Sequence, residues 1–313
     1  MRRFAPRSTP EGRHLPVLLT ETLAALAPRH GEKFADCTLG DAGHAAALLE
    51  RLGPEGFLIA MDFDGASIPA ASLRLAATGH PHAVRQGNFA GLPTALAELG
   101  IEKIDGLIAD LGMSSMQVDD AERGFSFMRD GPLDMRMDPS RGVDAGALLD
   151  RIAPAEFAEA LADGDEPAAA RLAVAILAAR RAGKLTTTRQ LADLVRAVTA
   201  PPERVRSYSP RRGNLASVAR VFQTLRILVN REFANLERLL AVLPSILAPG
   251  GRAALISFHS GEDRRVKTAF REGARAGFYS AVAADPVRAT PDEAYANPRS
   301  RSAKLRWAIR AAE

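Results

Sequence analysis

Apolar and polar positions follow two different periods along this chain, and the change of period divides it. Between residues 33 and 112, short apolar runs recur, each followed by a stretch with helical spacing. The runs are Lys33–Leu39 (KFADCTL), FLIAMDFD (57–64), HAVRQGNF (82–89) and IDGLIADLG (104–112). Bounded by Gly, Asn and Asp, they read as buried strands. Between them, GDAGHAAALLERLG, Ala66 to Ala77 and LPTALAELG (92–100) read as helices, two of them stopped by Gly53 and Gly100. This β-α-β-α-β-α-β order predicts a parallel sheet with helices on both faces. Right-handed crossovers then align the strand C-termini along one edge, where ligands bind. Upstream, HLPVLLTETLAAL (14–26) predicts a helix with Thr20 as N-cap and Glu21 just inside.

From 144 to about 200 the period is helical throughout. ALLDRI, PAEFAEALADG, PAAARLAVAILAARRAG and TTRQLADLVRAV predict four amphipathic helices with no strand between them. A long helical pattern covers 215–247, and GRAALISFH (251–259) is again a buried strand. About 140 residues thus separate strands four and five, where one helix would suffice. The expectation is a discontinuous sheet domain, 1–119 and 213–313, with a helical subdomain inserted at 120–212. FYSAVA and SAKLRWAIR predict two last strands, with an antiparallel edge.

DLGMSSMQVDDAERGFSFMRDGPLDMRMD (110–138) fits neither period. It is too polar and Gly-rich for a helix, yet too rich in Met and Phe for disorder. It reads as an ordered loop over a ligand site.

Composition narrows the chemistry. The single cysteine, Cys37, excludes an internal disulfide and a cysteine-based metal cage, and fits a reducing, cytoplasmic compartment. No apolar run reaches the ~18 residues of a membrane span. The N-terminal MRRFAPRSTPEGRH has charge but no apolar run after it, so it is not a secretory signal. The net charge of +4 is compatible with nucleic acid without requiring it.

Five groups of residues invite chemistry. GDAGH (40–44) turns from strand one into a helix, and Asp62 ends strand two about 20 residues on, the offset of an acid that takes ribose hydroxyls. Only Gly40 and Gly43 are present, so the pyrophosphate fingerprint is missing, and a phosphate-free adenosine ligand such as S-adenosylmethionine fits better. Asn88-Phe89 ends strand three, where an adenine would lie, or is an Asn-capped turn. Asp110, Ser114, Ser115 and Gln117 follow strand four, with Asp110 placed to accept from an amine or ammonium. SFHSGEDRRVK (257–267) suggests a substrate edge at His259 and Ser260, with acids opening a helix. RSYSPRRGN (206–214), NPRSRSAKLR (297–306), Arg123, Arg129 and Arg136 favour a nucleic-acid partner.

The long stretch 110–138 closely resembles the signature of the RsmH (MraW) family. So do HLPVLLTETL, DCTLGDAGH, MDFD, GNF, FQTLRILVNRE, LAPGGRAALISFHSGEDRRVK and NPRSRSAKLRWA, so that the resemblance covers nearly the whole chain. It implies a Rossmann-like class I methyltransferase sheet with an inserted helical domain. The implied activity is transfer of a methyl group from S-adenosylmethionine to N4 of a cytidine in small-subunit (16S) ribosomal RNA, in the decoding region, with the 30S particle as partner. The implied cofactor set is Ala42, Gly43, His44, Asp62, Phe89, Asp110 and Gln117. Asp110 and Ser115 are candidates for the catalytic groups, Phe125 and Phe127 for a wall of the base pocket, and no metal is expected. The chain departs from the family at Ala42 and Ala60, each standing for Gly. Ala216-Ser217-Val218-Ala219 stand before Arg220 where the family reads His-Pro-Ala-Thr, and Gly261 stands for Leu. These departures keep a rival open, a non-catalytic RNA-binding relative. A nicotinamide-dependent oxidoreductase would rest on the Gly loop and Asp62 alone.

Overall fold

The computed structural model describes residues 15–200 and 210–312, and for residues 115, 116 and 210–214 the backbone alone. Backbone contacts divide it into two units, one of residues up to Gly112 and from Phe233 on, the other from Met113 to Glu232.

The first unit is built on seven strands: β1 (Lys33–Asp36), β2 (Phe57–Asp62), β3 (His82–Gln86), β4 (Ile104–Asp110), β5 (Leu247–Ser257), β6 (Tyr279–Val282) and β7 (Lys304–Arg310). Their order in the sheet is β3-β2-β1-β4-β5-β7-β6. The first five are mutually parallel, and β7 runs antiparallel between β5 and β6. The α/β class and the mostly parallel sheet are as expected from the sequence.

Successive side chains of a strand enter opposite faces, and both faces are covered. Leu58 and Ala60 join one apolar cluster, and Ile59 and Met61 the other. Ala253 and Leu255 alternate in the same way with Ala254 and Ile256. This double burial is why the strands read as unbroken apolar runs. The helices between them are α2 (Gly43–Leu52), ended by Gly53 at φ 69°, α3 (Ile68–Ala76) and α4 (Leu92–Glu98).

The first helix, α1 (Leu19–Leu26), differs from expectation. Its cap is Leu18, in left-handed backbone at φ 53°, and Thr20 lies exposed inside the helix. The Leu18 N–H donates to Glu293 Oε1 at 2.8 Å, a bond between residues 275 positions apart that local sequence does not announce.

The second unit carries a short helix α5 (Ser115–Asp119), then α6 (Ala145–Arg151), α7 (Pro154–Asp163), α8 (Ala169–Arg181), α9 (Thr188–Thr199) and α10 (Pro210–Asn230). The four helices expected between 144 and 200 are α6 to α9. The unit is wider than the expected 120–212. Val218, Val221, Phe222 and Leu225 of α10 are buried with Phe157, Leu161 and Ile176, which assigns α10 to the helical unit. The run 215–247 breaks at Arg231, whose φ is 53°, and α11 (Glu232–Ile246) follows. Leu236, Leu239 and Leu243 of α11 are buried in the sheet unit's core.

The 110–138 stretch is ordered, and apolar residues along it pack into the helical unit. Phe125 is a core residue of the helical unit, clustered with Leu133 and Met135. Phe127 stands edge-on to Phe222, ring centres 5.5 Å apart. Arg123 donates to the carbonyls of Arg136 and Met137, and Arg136 forks onto Asp134. Arg129 pairs with Asp119. Arg123 and Arg136 thereby staple the stretch, while Arg129 keeps an exposed side chain.

Candidate active site

Three acids end adjacent parallel strands at the same edge: Asp36 on β1, Asp62 on β2 and Asp110 on β4. The loop after β1 is stitched to all three. Asp36 Oδ1 accepts from the Thr38 N–H at 2.9 Å, and Thr38 Oγ1 accepts from the Asp110 N–H at 2.6 Å. Asp62 accepts from the Gly40 N–H at 2.6 Å and from the Asp64 N–H at 2.8 Å. The acid expected to hold a ribose therefore also fixes the glycine turn.

That turn needs left-handed backbone. Gly40 has φ 48°, and Ala42, fully buried, has φ 59° and ψ 28°. Position 42, where the family resemblance leads one to expect Gly, thus carries a real conformational demand, which this chain meets with Ala. Gly43 then opens α2 against Pro16, where a Cβ would come within 3.0 Å. Next comes His44, buried, with Nε2 2.9 Å from the Val17 carbonyl and Nδ1 3.9 Å from Asp110 Oδ2.

Burial dominates the electrostatics of this edge. It pushes the Asp36 carboxyl up to about 6, against the Thr38 N–H bond and His44, with Asp110 and Asp62 adding repulsion. It pushes Asp110 up to about 7; the Gly112 N–H opposes it, Glu262 adds to it and Arg299 opposes it. Asp62 is raised by burial against its two backbone bonds. Burial lowers the His44 imidazole, against the pull of Asp36 and the Val17 bond. Asp36 Oδ2 and Asp110 Oδ1 are buried without a hydrogen-bond partner among the described residues. An acid-lined edge with unmatched carboxylate oxygens suits a cation that also carries hydroxyls.

The other expected residues divide. Asn88 accepts from the Ala90 N–H at 2.9 Å, the capped turn, while Phe89 is half-buried against the sheet core. Gln117 belongs to the helical unit and is buried, its Oε1 accepting from the Ser114 N–H at 3.1 Å. The Ser115 side chain lies outside the described set, as does 206–209 of the RSYSPRRGN motif. His259 caps α12 (Ser260–Arg275), and buried Glu262 accepts from the Phe258 N–H at 2.9 Å, so His259 serves a helix start. Asp263 is held below the ordinary carboxylate range by Arg306 and Lys304, which removes two basic residues of 297–306 from an open surface. In the helical unit, Ser217 and Arg220 both donate to buried Glu166, at 3.2 and 2.8 Å. The departure at 217 thus lies in a buried network.

Asp36 was not singled out from the sequence. The signal was present: an acid at the last position of a buried strand, in an otherwise apolar run, directly before the glycine turn.

A family model described as the MraW methylase family matches residues 11–311. Three curated relatives are each called ribosomal RNA small subunit methyltransferase H. The one from Sorangium cellulosum (strain So ce56) is 44% identical over 308 residues, 97% of this chain and 93% of that protein. The one from Trichlorobacter lovleyi is 43% identical over 314 residues, 95% of this chain and 98% of that protein. The one from Geobacter sp. (strain M21) is 42% identical over 309 residues, with 94% and 97% covered.

Proposed function

We propose, for a chain that belongs to the MraW methylase family, methyl transfer from S-adenosyl-L-methionine to N4 of a cytidine in the decoding region of small-subunit ribosomal RNA. The broader statement stands on the relatives: the chain is an S-adenosylmethionine-dependent ribosomal RNA methyltransferase. The cytidine N4 target, the 30S particle as substrate and a cytoplasmic setting are the finer reading; no helix among the described residues is long and apolar enough to cross a membrane.

The observation that carries the reading is the acid edge, with Asp36, Asp62 and Asp110 ending three neighbouring strands and two of them keeping an unmatched oxygen. It fits the cofactor, which is cationic at sulfur and at its amino group. When bound, S-adenosylmethionine supplies an electrophilic methyl on a sulfonium. Asp62 holds the ribose hydroxyls while fixing Gly40. Ala42, Gly43 and His44 line the methionine portion, and Phe89 the adenine. Gln117 and Ser115 are carried from the family resemblance.

Cytosine's exocyclic amine is a weak nucleophile because its lone pair is conjugated into the ring. Asp110 accepts a hydrogen bond from that amine, orients its lone pair, and takes the proton the nitrogen loses. A carboxyl raised to about 7 is matched to this task near neutral pH. The target base has to leave its stack to reach the edge.

Labelled methyl transfer from S-adenosylmethionine to small-subunit particles lacking the modification tests the reading. Label is expected on a cytidine N4, and Asp110→Asn is expected to abolish it. No incorporation by the wild-type chain would sink it. The rival, an RNA-binding relative that has lost its cofactor, predicts no heat in a calorimetric titration with S-adenosylmethionine.

A further inference from the structure

The C-terminal basic motif divides into an inward half and an outward half. Lys304 and Arg306 are paired with Asp263. Before them, Pro298–Ser302 form a tight 3-10 turn wound around buried Ser300, whose Oγ donates to the Asn297 carbonyl at 2.8 Å. Arg299 and Arg301, on either side of Ser300, are both exposed. Arg301 donates to the Ala294 carbonyl at 3.0 Å, which sets its guanidinium against α13 (Pro291–Ala296). The next residue, Tyr295, is 80% exposed, the most exposed of the large apolar side chains described. An aromatic held that far out of a core gains nothing by packing.

This arm is fixed to the active site. Asn297 donates to the Leu15 carbonyl at 3.1 Å, and Glu293 accepts from the Leu18 N–H at 2.8 Å. Between them, the Val17 carbonyl meets His44. Arg299 is close enough to Asp110 to lower its pKa. On α13, Glu293 is engaged by Leu18, which leaves Asp292 as its exposed acid.

We propose that Tyr295, Arg299 and Arg301 form a docking ledge for the single-stranded RNA flanking the target nucleotide. Tyr295 stacks on an unpaired base, and the two arginines meet phosphates. The inference rests on the RNA-methyltransferase reading and adds where the strand lies. A base drawn from its stack leaves unpaired neighbours, and an exposed ring on a helix against which Arg301 is fixed, with exposed Arg299 close in sequence, is what such neighbours recognise.

The test uses the full chain and a fluorescein-labelled single-stranded oligoribonucleotide containing one cytidine, followed by anisotropy across a salt series. Tyr295→Ala is expected to weaken binding about 5- to 100-fold, and Tyr295→Phe to restore it, since stacking needs only the ring. Arg299→Ala and Arg301→Ala are each expected to lower the slope of log affinity against log salt by about 0.7. S-adenosylmethionine affinity of the Tyr295 variants is expected to match wild type. A wild-type chain that methylates particles and binds the oligonucleotide, with affinity and slope indifferent to all three residues, overturns the ledge and leaves the activity standing. A wild-type chain that neither binds RNA nor transfers methyl overturns both.

Discussion

His44 turns Nδ1 toward Asp110 Oδ2, 3.9 Å away, while its Nε2 lies 2.9 Å from the Val17 carbonyl. A carbonyl oxygen only accepts, so Nε2 carries the proton of the neutral ring and Nδ1 faces the acid as a lone pair. Burial keeps the ring neutral. The imidazole therefore gives Asp110 no positive partner and leaves its carboxyl protonatable near neutrality. Burial raises the Asp36 carboxyl to about 6 and the Asp110 carboxyl to about 7. The cationic cofactor prefers both ionised. Hence kcat/KM for S-adenosylmethionine should climb as pH rises through roughly 6 to 7.5 and then level. Asp110→Asn should remove the upper part of the rise in cofactor affinity. A profile flat from roughly pH 5.5 to 8.5 would show that neither carboxyl matters.

The same shift makes Asp110 a stability cost. Its folded pKa, about 7, lies above the ordinary value of 3.8. The folded state therefore holds the proton more tightly, and the stability this contributes is complete below the ordinary value and lost as pH rises through 7. The upper bound is about 4 kcal/mol for a three-unit shift; one to three is expected for a partly solvated carboxyl. Asp110→Asn, inactive but neutral, should gain melting temperature over wild type at pH 8 and little at pH 4. An equal difference at both would contradict the assignment.

Ala42 is strained and packed at once. Left-handed backbone costs a non-glycine residue about 1–2 kcal/mol. Its buried methyl returns about 0.8, and Ala restricts the unfolded chain by about 0.4–1 relative to Gly. These nearly cancel, so Ala42→Gly should change stability by less than ~1 kcal/mol. The departure from the family's Gly is tolerable on this arithmetic, and cofactor affinity should stay close to wild type. Ala42→Val adds a β-branch at positive φ in a fully buried site, and should cost at least ~3 kcal/mol in urea denaturation. Equal midpoints for the Gly and Val variants would refute the strain.

What the sequence disclosed, and what it hid, follows the range of the interactions. The parallel strands and α6 to α9 were legible because burial imposes a local period. The strand-end position of Asp62 and Asp110 was legible for the same reason. The helix break at Arg231 was not, because no Gly or Pro marks its positive φ and both flanking helices are amphipathic. Thr20 looked like a cap because nothing nearby reveals the bond from Leu18 to Glu293. The bonds Arg123 and Arg136 make were not legible, because their acceptors are backbone carbonyls and a neighbouring acid, which composition does not display. Asp36 stood at a strand end in the same way, but its weight becomes plain when β1 is seen between β2 and β4.

Gly261 and Phe233 share one space. A Cβ on Gly261 would stand 2.6 Å from Phe233 Cζ and 3.2 Å from His259 Nδ1. The ring has little room to withdraw, because the Arg265 guanidinium covers its face at 3.6 Å and Glu237 holds that arginine at 2.8 Å. The Gly therefore accommodates the Phe, a physical reason for Gly where the family resemblance leads one to expect Leu. Restoring Leu alone should overpack the start of α12 and cost about 1–3 kcal/mol, even though Leu is the better helix former by nearly one. Phe233→Leu alone should cost about 1 kcal/mol through lost ring contact and the lost cation–π pair. Together the two changes should cost less than their sum by at least ~1 kcal/mol, because the smaller side chain vacates the space the larger one needs. Urea midpoints of the two single variants and the double variant measure the coupling. Additivity within ~0.5 kcal/mol would mean that the ring yields freely, and that Gly261 is not there to accommodate it.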